Sequence, residues 1–181
     1  YPVFLNLEEK ACLVVGGGVV GEHKAFVLID SGAVVTVVSP AVTERLRTEE
    51  RVNWKERQFE VGDLEDKVLV VAATDSDQVN AQIVDASRAR GIWVNDAMSA
   101  ERSDFILPAT VKRGGLTLAV STQGGSPAYA KLVRQMLESE FGEEHAEMVS
   151  LLAELRPRVK ATLLSSKDRR DFWDRVVTED T

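Results

Sequence analysis

The chain has 181 residues, 44% apolar and 28% charged, with 22 Lys and Arg against 29 Asp and Glu for a net charge of −7 when the histidines are neutral. At roughly 150 residues per domain this is one domain with a small appendage, large enough to close a core without covalent staples. The lone Cys12 excludes a disulfide-built scaffold, no apolar stretch nears the roughly 18 residues of a membrane span, and the negative field argues against nucleic-acid or anionic-membrane binding.

The chain opens Tyr-Pro-Val-Phe without a charged-then-apolar leader, so a cytoplasmic protein is expected. Ala11–Val15 reads as an apolar strand running into glycines. Val19–Asp30 follows with Gly21, Ala25, Leu28 and Ile29 on one helical face, stopped by Ser31-Gly32. Val34–Val38 is a second strand, Ala41–Glu50 a polar surface helix, and Val52–Phe59 a third strand. Lys67–Ala73 is a continuously apolar fourth strand, as expected when helices cover both sheet faces. Asp77–Arg90 reads as a helix ended by Gly91, and Ile92–Asn95 as a fifth strand. This alternation predicts an α/β fold, a Rossmann-type parallel sheet with right-handed crossovers.

The rhythm changes after Asn95. Phe105–Val111 and Leu116–Ser121, separated by Lys112–Gly115, predict a hairpin. Ser126-Pro127 suits a helix start, with Tyr129, Leu132, Val133, Met136 and Leu137 as its buried face. A helix from about Glu143 carries Met148, Leu151, Leu152 and Leu155 on one side, and Pro157 is expected to kink or end it. Ser166–Val177 is a last short helix with Phe172 and Trp173. A division is expected near residue 112, into a sheet domain and a hairpin-plus-helices region.

Gly16-Gly17-Gly18-Val19-Val20-Gly21 fits G-x-G-x-x-G where the pattern has a mechanism, leaving a strand and opening a helix. Gly16 permits the tight turn, Gly18 lets the backbone approach a pyrophosphate, and Gly21 allows close packing of the helix. The helix start, at Val19 and Val20, offers unpaired amides to the phosphates. About 20 residues on, where an acidic partner for the adenine ribose is usual, stand Ser39 and Pro40. NAD rather than NADP is the expected cofactor, although serine repels a 2′-phosphate far less than a carboxylate would. Thr74 and Asp75, after the fourth strand, should form the crevice's other wall or cap the next helix.

At this point the chain resembles the precorrin-2 dehydrogenase / sirohydrochlorin ferrochelatase family, the siroheme-synthase N-terminal module. The resemblance rests on Tyr1–Leu5 (YPVFL), Val14–Gly18 (VVGGG), Val70–Asp75 (VVAATD), Asp104–Ala109 (DFILPA), Val120–Pro127 (VSTQGGSP) and Arg169–Trp173 (RRDFW), in the family's order over nearly the whole chain. It implies a homodimer that oxidises precorrin-2 to sirohydrochlorin with NAD. In bifunctional members Fe(II) is then inserted, as chelatase substrate, to give siroheme.

The family's catalytic Asp, shortly after the fifth strand's Asn, falls here on Met98, followed by Ser99. Asp96 is the preferred replacement as general base, with Asp104 as the other nearby carboxylate and Ser121 on the loop that would face the macrocycle. No compact metal-ligand cluster is expected, since His23 and His145 stand apart. A polycarboxylate tetrapyrrole needs cations, and Arg102, Lys112, Arg113, Lys131 and Arg134 are the candidates, joined by Thr122 and the helix start at Ser126. The apolar hairpin and the Tyr129–Leu137 helix expose more apolar face than one small domain covers, which predicts a twofold dimer. Two rival readings are a dehydrogenase without chelatase activity and a non-enzymatic NAD-sensing module on the same fold.

Overall fold

The structure is a computed structural model and describes residues 1–178. The chain forms two compact units, Tyr1–Ile106 and Leu107–Thr181.

The first unit runs β1 (Ala11–Val15), α1 (Val19–Ile29), β2 (Val34–Val38), α2 (Glu44–Arg47), β3 (Val52–Lys55), a 3-10 turn at Val61–Leu64, β4 (Leu69–Ala72), α3 (Asp77–Arg88) and β5 (Trp93–Asp96). The five strands form one sheet in the order β3-β2-β1-β4-β5, and every neighbouring pair is parallel. Alternation along the strands fills two cores. Cys12, Val14, Val35 and Val37 face Ala25, Leu28 and Ile29 of α1, while Leu13, Val15, Val70, Ala72 and Val94 face Ile83 and Val84 of α3. With both faces covered, apolar side chains are required at every strand position, so the runs read as continuous rather than alternating. The chain leaves β1 toward β2 on one side and returns to β4 on the other. That reversal opens a crevice at the C-terminal ends of β1 and β4, where ligands bind in sheets of this kind.

Three differences from the sequence expectation have local causes. The helix expected over 41–50 is confined to Glu44–Arg47, because Ala41 and Val42 lie against Gly17 and keep 41–43 extended. Thr43 then caps the helix, its hydroxyl oxygen accepting the Leu46 N–H at 3.4 Å. β5 starts one residue late, since the Ile92 N–H is taken by the Ser87 carbonyl at the end of α3. The strand expected at Phe105–Val111 begins only at Ala109, after Pro108, which has no N–H to give a ladder. Phe105 instead packs into the α1-side core, and the segment before it lies along the outer side of β5. There the Val94 N–H donates to Asp104 Oδ2 (3.1 Å), the Asp104 N–H donates to the Val94 carbonyl (2.8 Å), and the Asp96 N–H donates to Ser103 Oγ (2.9 Å).

The second unit begins with the antiparallel hairpin β6 (Ala109–Arg113) and β7 (Leu116–Val120), followed by α4 (Pro127–Glu140), α5 (Glu144–Thr162) and α6 (Ser166–Val176). Gly114, at φ +53°, makes the hairpin turn, and Ala146 and Val149 of α5 pack directly against Gly114 and Gly115. Pro157 does not end α5: the helix continues to Thr162. Pro157 and Ala153 are both exposed, so water can take the carbonyl that proline leaves without a donor. The buried face expected for α4 is only partly buried. Ala130 is covered, but Tyr129, Leu132 and Met136 form an exposed stripe at helical spacing. Phe172 and Trp173 of α6 meet edge to face, 5.0 Å between ring centres.

Candidate functional site

The glycine loop between β1 and α1 is built by backbone contacts that leave no room for side chains. Gly16 takes φ +115°, and a Cβ there would lie 2.2 Å from the Ala73 carbonyl oxygen. A Cβ on Gly21 would lie 2.0 Å from the Gly16 carbonyl oxygen, so the first turn of α1 presses on the loop itself rather than chiefly on the strand. Gly17, a free position in the motif, is equally confined, since a Cβ there would lie 2.2 Å from the Ala41 carbonyl oxygen, and its own carbonyl accepts the Thr43 N–H. Gly18 differs from all of these: nothing lies within 4 Å of its Cβ position. It is the N-cap of α1 without a side-chain cap, and the first intrahelical bond runs from the Glu22 N–H to its carbonyl. With Val19 and Val20 exposed beside it, the helix start is open, and the free amides of a helix's first turn are what a diphosphate requires.

The neighbouring loops close on this turn. Ala73 and Thr74 abut Gly16, and the Ala97 N–H donates to the Ala72 carbonyl, which brings the end of β5 to the same mouth. Thr74 is tied to fully buried Asn80: its hydroxyl and its N–H both donate to Asn80 Oδ1, at 2.7 and 3.1 Å. Ser76, not Thr74 or Asp75, caps α3, accepting the Val79 N–H. Asp75 stays exposed. Ser39, at the end of β2, is buried, with its carbonyl accepting the Trp54 indole N–H at 3.0 Å; Pro40 is exposed. Arg45 stacks over Phe26 at 3.8 Å and pairs with Glu22, so it is held against α1.

Both carboxylates expected near the reacting centre are engaged. Asp96 has a fully buried side chain, with Oδ1 accepting the Met98 N–H (2.9 Å) and Oδ2 accepting Arg102 Nε (2.7 Å). The same guanidinium donates from Nη1 to Asp77 Oδ2 at 3.2 Å, and its Nη2 also meets Asp77 Oδ1. These bonds hold the Asp77 carboxyl below the usual carboxylate range and push Arg102 further up. Arg102 thus joins the loop after β5 to the start of α3, its charge shared by two carboxylates. Asp104 lies on the outer side of β5, where Oδ1 accepts Arg88 Nε at 2.9 Å and Oδ2 accepts the Val94 N–H. Asn95 donates from Nδ2 to the Phe105 carbonyl (2.9 Å), while its Oδ1 is buried without a hydrogen-bond partner among the described residues.

The remaining candidates belong to the second unit. Ser121 Oγ accepts the Gln123 N–H at 3.0 Å. The Thr122 hydroxyl bonds both the N–H and the carbonyl of Ser126, each at 3.1 Å, and Ser126 caps α4 through the Tyr129 N–H. Arg113 reaches from the hairpin to the Glu138 carbonyl (3.2 Å), and Arg134 pairs with the Glu138 carboxylate. Lys112 and Lys131 are exposed. The Arg102 bridge, which spans 25 residues between Asp77 and Arg102, has no sequence signature. Gly17 could have been found, since a third consecutive glycine exceeds what the motif needs. Among the described residues no group of three or more His, Cys, Asp and Glu is placed to hold a metal ion, and no helix is long and apolar enough to cross a membrane.

Residues 3–109 match the family described as putative NAD(P)-binding, 113–140 the sirohaem biosynthesis protein central region, and 145–181 the sirohaem synthase dimerisation region. Siroheme synthase 1 of Aeromonas salmonicida (strain A449) is 40% identical over 182 residues, covering 99% of this chain and 39% of its own length. Siroheme synthase of Methylococcus capsulatus is 37% identical over 179 residues, covering 97% and 38%. The chain therefore spans about two-fifths (39%) of the length of such curated relatives. Among solved structures, SirC, precorrin-2 dehydrogenase, superposes with a TM-score of 0.81 at 27% identity, over 99% of this chain and 90% of that one.

Proposed function

Because the chain belongs to the family in which a putative NAD(P)-binding domain is joined to the sirohaem-synthase central and dimerisation regions, we propose that it oxidises precorrin-2 to sirohydrochlorin with NAD. The observation that carries this reading is the Gly18 cradle, open above a loop packed tightly at Gly16, Gly17 and Gly21. In this reading Gly16, Gly18 and the amides of Val19, Val20 and Gly21 hold the diphosphate, Ser39 and Pro40 border the adenine ribose, and Thr74 and Asp75 form the second wall. Bound there, NAD supplies the hydride acceptor. The protein's own part is to orient both partners and receive the departing proton. Asp96, Asp104 and Ser121 are the candidate acceptors, and Asp96, at the C-terminal end of β5, is the preferred one. Taking up a proton on Asp96 means giving up a bond from Met98 or Arg102, so its exchange with Arg102 is part of the proposal. All four oxygens of Asp96 and Asp104 accept hydrogen bonds, and Met98 stands where the family pattern has a carboxylate. Fe(II) insertion, the bifunctional extension of this reading, would need one of these carboxylates released in the same way.

We assign residues 1–112 to dinucleotide binding, 113–142 to dimerisation and 143–181 to a helical C-terminal part. Exposed Tyr129, Leu132 and Met136 support a homodimer, since they offer an apolar stripe that a second copy would cover. Arg102, Lys112, Arg113, Lys131 and Arg134, with Thr122 and the capped helix start at Ser126, are proposed to meet the tetrapyrrole's carboxylates.

Anaerobic incubation with precorrin-2 and NAD tests the reading: sirohydrochlorin and NADH should appear in equal amounts. NAD binding without turnover would favour the sensing module instead. Gly18→Ala should fold normally, because its Cβ meets open space at φ −74°, yet raise the KM for NAD by about tenfold or more as the methyl enters the phosphate site. An unchanged KM would place the diphosphate elsewhere. Exchanging Lys131 and Arg134 together for Glu should raise the KM for precorrin-2 by roughly tenfold or more with kcat less affected, as the patch binds ground and transition states alike. A KM equal to wild type would remove the patch from the site.

A further inference from the structure

At the end of the sheet opposite the glycine loop, the N-terminal ends of β1, β4 and β5 lie side by side, preceded by Lys10, Lys67-Val68 and Gly91-Ile92. They border a cavity of about 420 Å³ whose apolar lining includes Leu5, Val68 and Trp93 and whose charged lining is Lys10, Lys67 and Arg90. A second cavity of about 450 Å³, bounded by Arg88 and Asp104, shares Gly91, Ile92 and Trp93 with it.

Two features mark this cavity. Its apolar lining is open to solvent, with Trp93 47% and Val68 46% exposed. The three cations are unmatched: no carboxylate lines the cavity, none of the three forms an ion pair among the described residues, and Arg90 makes only a bond to the Ala86 carbonyl. That concentration of positive charge stands in a chain of net charge −7.

We propose that this cavity binds a small aromatic anion, its planar body against Trp93 and Val68 and its carboxylate or sulfonate among Lys10, Lys67 and Arg90. The site is separate from the dinucleotide crevice. The length of β1 parts the two ends by about 13 Å at 3.3 Å per residue, and the cavity shares no residue with the glycine loop. Its volume suits a two-ring molecule with one acidic group, and the indole with the ammonium groups supplies the two contacts such a molecule needs.

Calorimetric titration of the whole chain with 2-naphthoate and with its neutral isostere 2-naphthamide tests the proposal. Naphthoate should bind saturably, with a Kd of roughly 100 µM or tighter and at least tenfold below that of the amide. Lys67→Glu with Arg90→Glu should weaken naphthoate about tenfold while leaving the affinity for NAD unchanged. Trp93→Ala should weaken both naphthyl compounds. Since these side chains are at the rim of the unit, circular dichroism should match wild type. No saturable binding, equal affinity for acid and amide, indifference to the charge reversal, or displacement of naphthoate by NAD would each overturn the proposal.

Discussion

Gly16→Val is expected to unfold the first unit's crevice rather than merely weaken cofactor binding. At φ +115° an L side chain costs about 1–3 kcal/mol before any contact is counted. Its Cβ would also sit 2.2 Å from the Ala73 carbonyl oxygen and 2.9 Å from the Thr74 nitrogen, both backbone atoms with no rotamer to escape into. Relief would require β1 and β4 to part, although Ala73 is held there by its N–H bond to the Val15 carbonyl (2.8 Å). The urea midpoint should fall by the equivalent of roughly 3 kcal/mol or more, with NAD binding lost in parallel. A wild-type midpoint would show that the turn is looser than its contacts. Set beside Gly18→Ala, the pair separates the two uses of glycine in one motif, since the first should lose structure and the second only the ligand.

Asp63→Ala should have the next largest effect on stability. The Asp63 side chain is 1% exposed and gathers Lys55 Nζ (3.0 Å), Arg57 Nη1 (2.7 Å) and the Glu60 N–H (3.0 Å), tying the end of β3 to the turn before β4. Removing the carboxylate leaves two partly covered cations and an amide without their acceptor. The expected loss is about 3 kcal/mol, or a fall in Tm of roughly 10 °C. Burial would raise the pKa of Asp63, but its bonds from Arg57, Glu60 and Lys55 prevail and hold it well below its ordinary 3.8. Because the folded value is the lower one, the ionised carboxylate stabilises the fold above pH 3.8, and that contribution fades as the pH falls from there toward the folded value. Wild type should therefore lose stability below about pH 4 more steeply than Asp63→Ala. Parallel acid limbs in thermal melts at several pH values would refute the assignment.

The sheet and the cofactor turn were readable because each depends on residues adjacent in sequence. Ala11–Val15 and Val34–Val38 are apolar apart from Thr36 since both faces are covered, and the spacing of Gly16 and Gly21 records the close approach of the helix start to the loop five residues before it. What escaped reading depends on partners distant in the chain. The residues after β2 have helical propensity, yet 41–43 stays extended because Gly17 must meet Ala41. Tyr129, Leu132 and Met136 have the pattern of a buried face, but the two-stranded hairpin offers α4 only one surface to cover. The Asp77–Arg102–Asp96 bridge and the Asp63 cluster are invisible to charge patterning, which counts charges without pairing them. Asp96 was singled out by its place after the fifth strand, but the bonds that occupy it were not legible.

The side chains of Asp104 and Ser103 imitate a sixth strand along β5, answering the Val94 and Asp96 amides that a neighbouring chain would otherwise seek. A carboxylate cannot propagate the ladder, so the sheet ends within its own molecule on this side, which leaves β3 as its other edge. A substitution that freed this loop would uncover the β5 edge and carry a risk of aggregation.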